Sequence, residues 1–198
     1  MFCEAIDKSN PCKDDRDCPS GLVCAKDLNA KPDDDGTCAK EFLRAKVVFV
    51  NSTAVGTEAG DEDFSSIEGG LTLTEVAGGT LMEGFVEGLA TGDHPIHVHE
   101  YGCLDDGKCM NTGAHYNPKN AIFELGNANG YIGNLDKIVA DGNGEADFYQ
   151  LFKNLPLKGA QSVLGRGIVI HGADGNSARA ACGSIVLMES VYDPPLPP

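Results

Sequence analysis

From Phe42 onward the chain is a run of short apolar-alternating stretches separated by glycine-rich turns, and no segment of any length repeats apolar residues at helical spacing. A strand throws successive side chains to opposite faces, so this period of two commits the chain to sheet. Strands are predicted near 42–51, 67–76, 79–89, 94–101, 133–140, 144–152, 167–172 and 179–188. The turns between them are marked by clusters such as Ala77-Gly78-Gly79 and Asp141-Gly142-Asn143-Gly144. The expected fold class is all-β. With 198 residues, 41% of them hydrophobic, the chain can bury one substantial core and carry a small appendage.

The appendage is residues 1–40. Five of the eight cysteines lie there, Cys3, Cys12, Cys18, Cys24 and Cys38, among Asp, Lys, Pro and Gly with almost no apolar periodicity. Such a segment cannot fold by core burial and reads as a disulfide knot in an oxidising compartment. Its Asp17-Cys18-Pro19-Ser20-Gly21-Leu22-Val23-Cys24 stretch is similar to small secreted cysteine-rich modules. A zinc cluster is the rival, but the spacings lack CxxC pairs and no histidine is near. The sequon Asn51-Ser52-Thr53 agrees with secretion. Met1-Phe2-Cys3-Glu4 lacks the basic start and apolar stretch of a signal peptide, and no run of about 18 apolar residues could span a bilayer. A formal charge of −15 argues against nucleic acid, whose backbone needs a basic surface. The main domain is expected over 41–190, and 191–198, rich in proline, reads as a linker, a cut point or a ligand for a proline-binding partner. Asp141-x-Asn143-x-Glu145-x-Asp147 superficially resembles a calcium loop, but Ala146 holds the glycine position, so a plain hairpin turn is expected.

Within the sheet-forming part, Asp93-His94-Pro95-Ile96-His97-Val98-His99-Glu100-Tyr101-Gly102 carries three of the five histidines. On one strand His97 and His99 share a face while Val98 points into packing, which makes half of a nitrogen-rich metal site. A solvated or hydrogen-bonded histidine pair is the competing reading. His94 has the opposite parity and is expected to be structural.

Downstream come Gly113-Ala114-His115-Tyr116-Asn117-Pro118, Gly165-Arg166-Gly167-Ile168-Val169-Ile170-His171-Gly172 and Ala178-Arg179-Ala180-Ala181-Cys182-Gly183. With the HVHEYG stretch, these four ordered motifs resemble the copper–zinc superoxide dismutase family over about residues 42 to 190. The resemblance implies an eight-stranded Greek-key β-barrel and a copper-dependent oxidoreductase that converts superoxide to oxygen and hydrogen peroxide. It makes His97, His99, His115 and His171 the ligands of one copper, His115 also the bridging histidine that takes up a proton in the reduced state, and Arg179 the guide for the anionic substrate. It pairs Cys109 with Cys182. Cys103 is then left over against five N-terminal cysteines, and the arithmetic suggests a bridge from Cys103 to the knot.

Two departures from the family stand out. The family's zinc ligands are the bridging histidine, two further histidines and an aspartate, yet no histidine lies between His115 and His171, and Tyr131 and Asn134 stand where the last histidine and the aspartate would be. No zinc is expected. Glu124, Tyr131, Asn134 and Asp136 are the candidates to hold the second ring nitrogen of His115 instead, Glu124 first. The family's long charged segment after the last copper ligand is also missing, since His171 is followed almost at once by Arg179. Together these resemble the copper-only superoxide dismutases, typically extracellular, with an open copper site. The competing class is a secreted copper-storage or matrix protein on the same scaffold, a module of a larger assembly. Retention of Arg179 favours the enzyme, because storage needs no anion guide; the bland alternative is that Arg179 pairs with a carboxylate and closes the last strand.

Overall fold

A computed structural model describes residues 11–18, 22–25, 35–53, 64–76, 78–119, 132–173 and 177–193. Among them the regular structure is almost entirely strand: β1 (Pro11–Cys12), β2 (Val23–Ala25), β3 (Gly36–Val48), β4 (Val50–Asn51), β5 (Glu68–Val76), β6 (Gly79–Glu87), β7 (Gly92–His99), β8 (Asn134–Ala140), β9 (Ala146–Phe152), β10 (Gly167–His171), β11 (Arg179–Ser184) and β12 (Val186–Asp193), with two single-turn helices at Asp15–Asp17 and Met110–Thr112. The all-β expectation holds, and the eight expected strands correspond to ten of these, since two of the eight are split, at Phe49 and Ile185. The chain divides into two compact units, Met1–Leu43 with Glu189–Pro198, and Arg44–Met188.

In the first unit β1 and β2 both run antiparallel to the start of β3. Two disulfides, Cys12–Cys24 and Cys18–Cys38, consume four of its cysteines, so among the described residues of this unit no thiolate is left for the zinc cluster weighed from the sequence. Cys3 lies outside the described residues, as do the 194–198 tail and Glu124 and Tyr131.

The second unit packs two antiparallel sheets. One follows the order β3-β5-β6-β9, the other β4-β11-β10-β7-β8. Their shared core is made by the inward positions that the alternation predicts: Ala45 and Val47 on β3, Leu71 and Leu73 on β5, Met82 and Val86 on β6, and Ile96, Val98, Ile168 and Ile170 from the opposing sheet. The outward face of the first sheet stays open, with Tyr149, Leu151 and Phe85 exposed. The Asp141 turn is the expected hairpin: Asp141 Oδ1 accepts from the Asn143 and Glu145 amides, which holds its carboxyl below the ordinary range, and Gly144 takes φ +81°. At the sequon, Asn51 Nδ2 donates to the Ser65 carbonyl (2.7 Å), so its amide is already engaged in the fold.

The second sheet differs in that its central strands are covered on both sides. Every residue of β10 is buried. Pairing runs Cys182, Val169 and His97 in one row across β11, β10 and β7, with Gly167 opposite His99 in the next outward-facing row. Ile96, Val98, Ile168 and Ile170 therefore enter the core, while His97, His99, Val169 and Cys182 share the other face. The 100–115 segment covers that face, and the Cys109–Cys182 disulfide clamps it there around Val169 and Leu104.

A candidate metal centre

Four imidazoles converge on that covered face. The ring centroid of His97 lies 3.9 Å from that of His115 and 5.0 Å from that of His171, and His99 lies 4.8 Å from His115 and 5.7 Å from His171. Strand parity accounts for the first pair. His171 arrives at the end of β10, where a bulge between Ile170 and His171 re-aims it. His115 is delivered by an isolated bridge to His99, after a turn in which Gly113 adopts φ +78°; a Cβ there would meet the Tyr101 ring at 2.8 Å.

The hydrogen bonds define what this cluster presents. His99 Nδ1 lies 3.0 Å from the Gly113 carbonyl and His171 Nδ1 lies 3.2 Å from the Ser177 carbonyl. A carbonyl can only accept, so each Nδ1 carries the proton and each Nε2 keeps a lone pair. Those two nitrogens and Nδ1 of His97 are buried and have no hydrogen-bond partner among the described residues. An orphaned buried polar atom costs about 1–3 kcal/mol, so three of them together mark a place where a cation completes the site. Ligand atoms of His97, His115 and His171 lie within 4.8 Å of one another. An all-imidazole set suits copper, and the residues present fit that ion.

Burial also keeps these rings neutral, as metal binding requires. Desolvation first, then the neighbouring histidines, lowers His97 to about 3. Desolvation lowers His99 to about 3 against the opposing pull of the Gly113 carbonyl, with Arg179 and the other histidines adding to the fall. His115 and His171 shift the same way, again chiefly through burial.

His94 behaves as its parity predicts. It is fully buried on the opposite face, between the backbone at His171 and the β6–β7 turn, with Nδ1 2.8 Å from the His171 carbonyl and Nε2 2.7 Å from the Ala90 carbonyl. Of the candidates to back His115, Asn134 sits opposite His97 in the ladder and receives the Asp136 amide (3.4 Å), and Asp136 occupies the bulge at φ +77°. Glu124 and Tyr131 lie outside the described residues, as does the 174–176 stretch that bears on how open the site is.

Arg179 is pinned from one side. Nη1 donates to the Cys109 carbonyl (2.6 Å) and to Thr112 Oγ1 (2.9 Å), and Nη2 donates to the Gly113 carbonyl (2.7 Å). Among the described residues its hydrogen bonds go to carbonyls and one hydroxyl. Burial draws its pKa down and the field of Asp106 draws it up. Cys109 and Cys182 pair as the resemblance implied. The expected Cys103 bridge is corrected: Cys103 is a free, exposed thiol, and the four described knot cysteines pair with one another, while Cys3 lies outside the described residues.

Sequence reasoning missed two supporting residues. Thr112 is fully buried between Arg179 and His99, yet a threonine in a loop carries no distinctive signal. Arg166 stacks over the Tyr116 ring at 3.5 Å and donates to the Glu100 carbonyl (2.8 Å), bracing the segment that carries His115. Arg166 stood inside a quoted motif, so its position was visible and its partner was not.

The chain matches the family described as copper/zinc superoxide dismutase (SODC) over residues 67–185. It is 33% identical over 157 residues to "Superoxide dismutase [Cu-Zn] 3" of Arabidopsis thaliana, covering 71% of this chain and 93% of that one. It is 31% identical over 123 residues to "Extracellular superoxide dismutase [Cu-Zn]" of Brugia pahangi, covering 62% and 61%. Among solved structures, "Crystal Structure Analysis of the clock protein EA4" superposes with a TM-score of 0.60 at 27% identity, over 73% of this chain and 94% of that one.

Proposed function

The chain belongs to the copper/zinc superoxide dismutase family, and from that premise we propose that it is a secreted copper-only member, binding one copper and no zinc and consuming superoxide. The carrying observation is the set of three buried, partnerless ring nitrogens on His97, His99 and His171, with His115 beside them. His97 through Nδ1, and His99 and His171 through Nε2, would hold the ion, with His115 as the fourth ligand. Copper bound there supplies one-electron exchange between its two oxidation states, so that two superoxide ions and two protons give one oxygen and one hydrogen peroxide. The protein's part is to keep four imidazoles neutral, to fix the tautomers of His99 and His171 through the Gly113 and Ser177 carbonyls, and to hold a cation at a set place beside them. That cation is Arg179, whose fork is fixed by backbone carbonyls and so remains available to attract an anion. His115, less buried than the other three, is the ring that exchanges a proton during turnover.

Composition supports the reading without zinc. All five histidines of the chain are accounted for by the four rings and His94, so the loop after His115 offers none of the family's further zinc histidines. Secretion is supported by three disulfides and by the extracellular relative. Loading the metal-free protein with equimolar copper and zinc, then measuring both after desalting, is expected to return one copper and no zinc per chain. A stoichiometric zinc beside the copper would refute the copper-only reading.

A further inference from the structure

We propose that Thr112 is a positioning residue whose single hydroxyl couples Arg179 to His99, so that the anion-attracting cation and the metal-holding ring keep a fixed relation. The inference rests on the function proposed above and concerns a residue to which nothing in that function gives a role.

The hydroxyl has one proton and two lone pairs, and all three are used. Its proton goes to the Cys109 carbonyl at 2.7 Å. One lone pair accepts from Arg179 Nη1 at 2.9 Å. The other faces His99 Nδ1 at 3.3 Å. That ring proton is shared with the Gly113 carbonyl at 3.0 Å, and the same carbonyl accepts from Arg179 Nη2 at 2.7 Å. Arg179 and His99 thus share two acceptors, Thr112 Oγ1 and the Gly113 oxygen. Neither group can swing without leaving an acceptor that also holds the other.

Threonine is suited to this place beyond its hydroxyl. Its side chain is fully buried, and the space for it is left by Gly167: a Cβ on that glycine would stand 2.7 Å from the Tyr101 carbonyl and 3.2 Å from the Thr112 methyl carbon. A β-branched residue has few χ1 choices, so seating the methyl in that gap fixes the direction of the oxygen. The frame is rigid as well, because Cys109 is bonded to Cys182 and its carbonyl takes both Thr112 and Arg179. A serine would keep the bonds but lose the methyl that aims them. A valine would keep the shape and lose the bonds.

The test compares wild type, Thr112→Val, Thr112→Ala and Thr112→Ser, each loaded with one copper, by azide affinity and by the copper(II) electron paramagnetic resonance spectrum. Azide is a small anion that reports on the cation without needing turnover. Loss of a hydrogen bond to a charged group is expected to weaken azide binding by about tenfold in Thr112→Val and Thr112→Ala. The copper hyperfine splitting should shift in both, with Thr112→Ser returning most of the way to wild type. Superoxide consumption should fall in the same order. If Thr112→Val, or Thr112→Ala should the former not fold, keeps wild-type azide affinity and spectrum, the proposal is wrong. It is equally wrong if Thr112→Ser is as impaired as the others, because then shape and not the hydroxyl decides. A wild type that binds azide and shows the spectrum but consumes no superoxide would overturn the proposed function and leave the azide comparison to decide Thr112.

Discussion

The two sheets of the Arg44–Met188 unit are built by the same antiparallel pairing but bury their residues differently. In the β5-β6-β9 region one face enters the core and the other is open: Tyr149 is 76% exposed and Leu151 46%, next to core positions such as Met82 at 0%. In the β11-β10-β7 region both faces are covered, and Ile168, Val169 and Ile170 are all at 0%. Only the doubly covered sheet carries histidines on its second face. Cover is what converts those rings from solvated side chains into neutral, oriented imidazoles, because desolvation opposes their protonation and leaves lone pairs without partners among the described residues. The cover is held by one covalent bond, Cys109–Cys182, and by an arginine that donates into the backbone of the covering segment.

If that contrast is right, substitutions on the covered sheet should remove function while matched ones on the open face should do almost nothing. The largest effect is expected for His97→Ala, which should abolish copper-dependent superoxide consumption while leaving the far-ultraviolet β-sheet spectrum intact; Tyr149→Thr on the open face should leave both unchanged. Next, Arg179→Ala should lower the second-order rate by one or more decades with copper stoichiometry unchanged. Arg179→Lys should retain part of it, since a lysine supplies the charge without the fork. A rate insensitive to Arg179→Ala would end the guiding role.

Stability should separate the sheets as well. Opening Cys109–Cys182 by paired serines frees a loop with a sequence separation of 73 residues and should cost about 4 kcal/mol in chain-entropy terms, read from denaturant midpoints. Ile168→Ala should cost about 2–5 kcal/mol by the same measurement, against about 0.5 kcal/mol or less for Leu151→Ala.

The smallest and most specific effect is with pH in the metal-free protein. His97 and His99 are held at about 3 in the fold, below the ordinary 6.5 of an exposed imidazole. Between those values the unfolded chain binds protons that the folded chain does not, so their contribution is complete above about pH 6.5 and is lost as pH falls toward about 3. The midpoint at pH 4.5 should lie below that at pH 7.5, and His97→Gln should flatten the difference while Leu151→Ala should not.

Much of this was legible in the sequence because it depends on period and order. Alternation alone places His97 and His99 together and sends His94 to the other face, where it is found. Four ordered motifs place His115, His171, Arg179 and the Cys109–Cys182 bridge. What was not legible depends on where loops fold back. Thr112 earns its place only because Gly167, 55 positions later, leaves a gap beneath it. The Cys103 expectation came from counting, which finds an odd cysteine on each side but carries no distance: two bridges close among Cys12, Cys18, Cys24 and Cys38, and Cys103 is a thiol.

A chain with a net charge of −15 must still admit an anion, and the account assigns that task to one cation held beside four neutral rings. The most direct measurement is superoxide consumption by the copper-loaded protein with copper and zinc content determined on the same sample. The account predicts catalytic turnover that scales with copper, at one copper per chain and no zinc. Stoichiometric copper with no turnover above that of the His97→Ala variant would contradict it and leave a copper-holding protein on a dismutase scaffold.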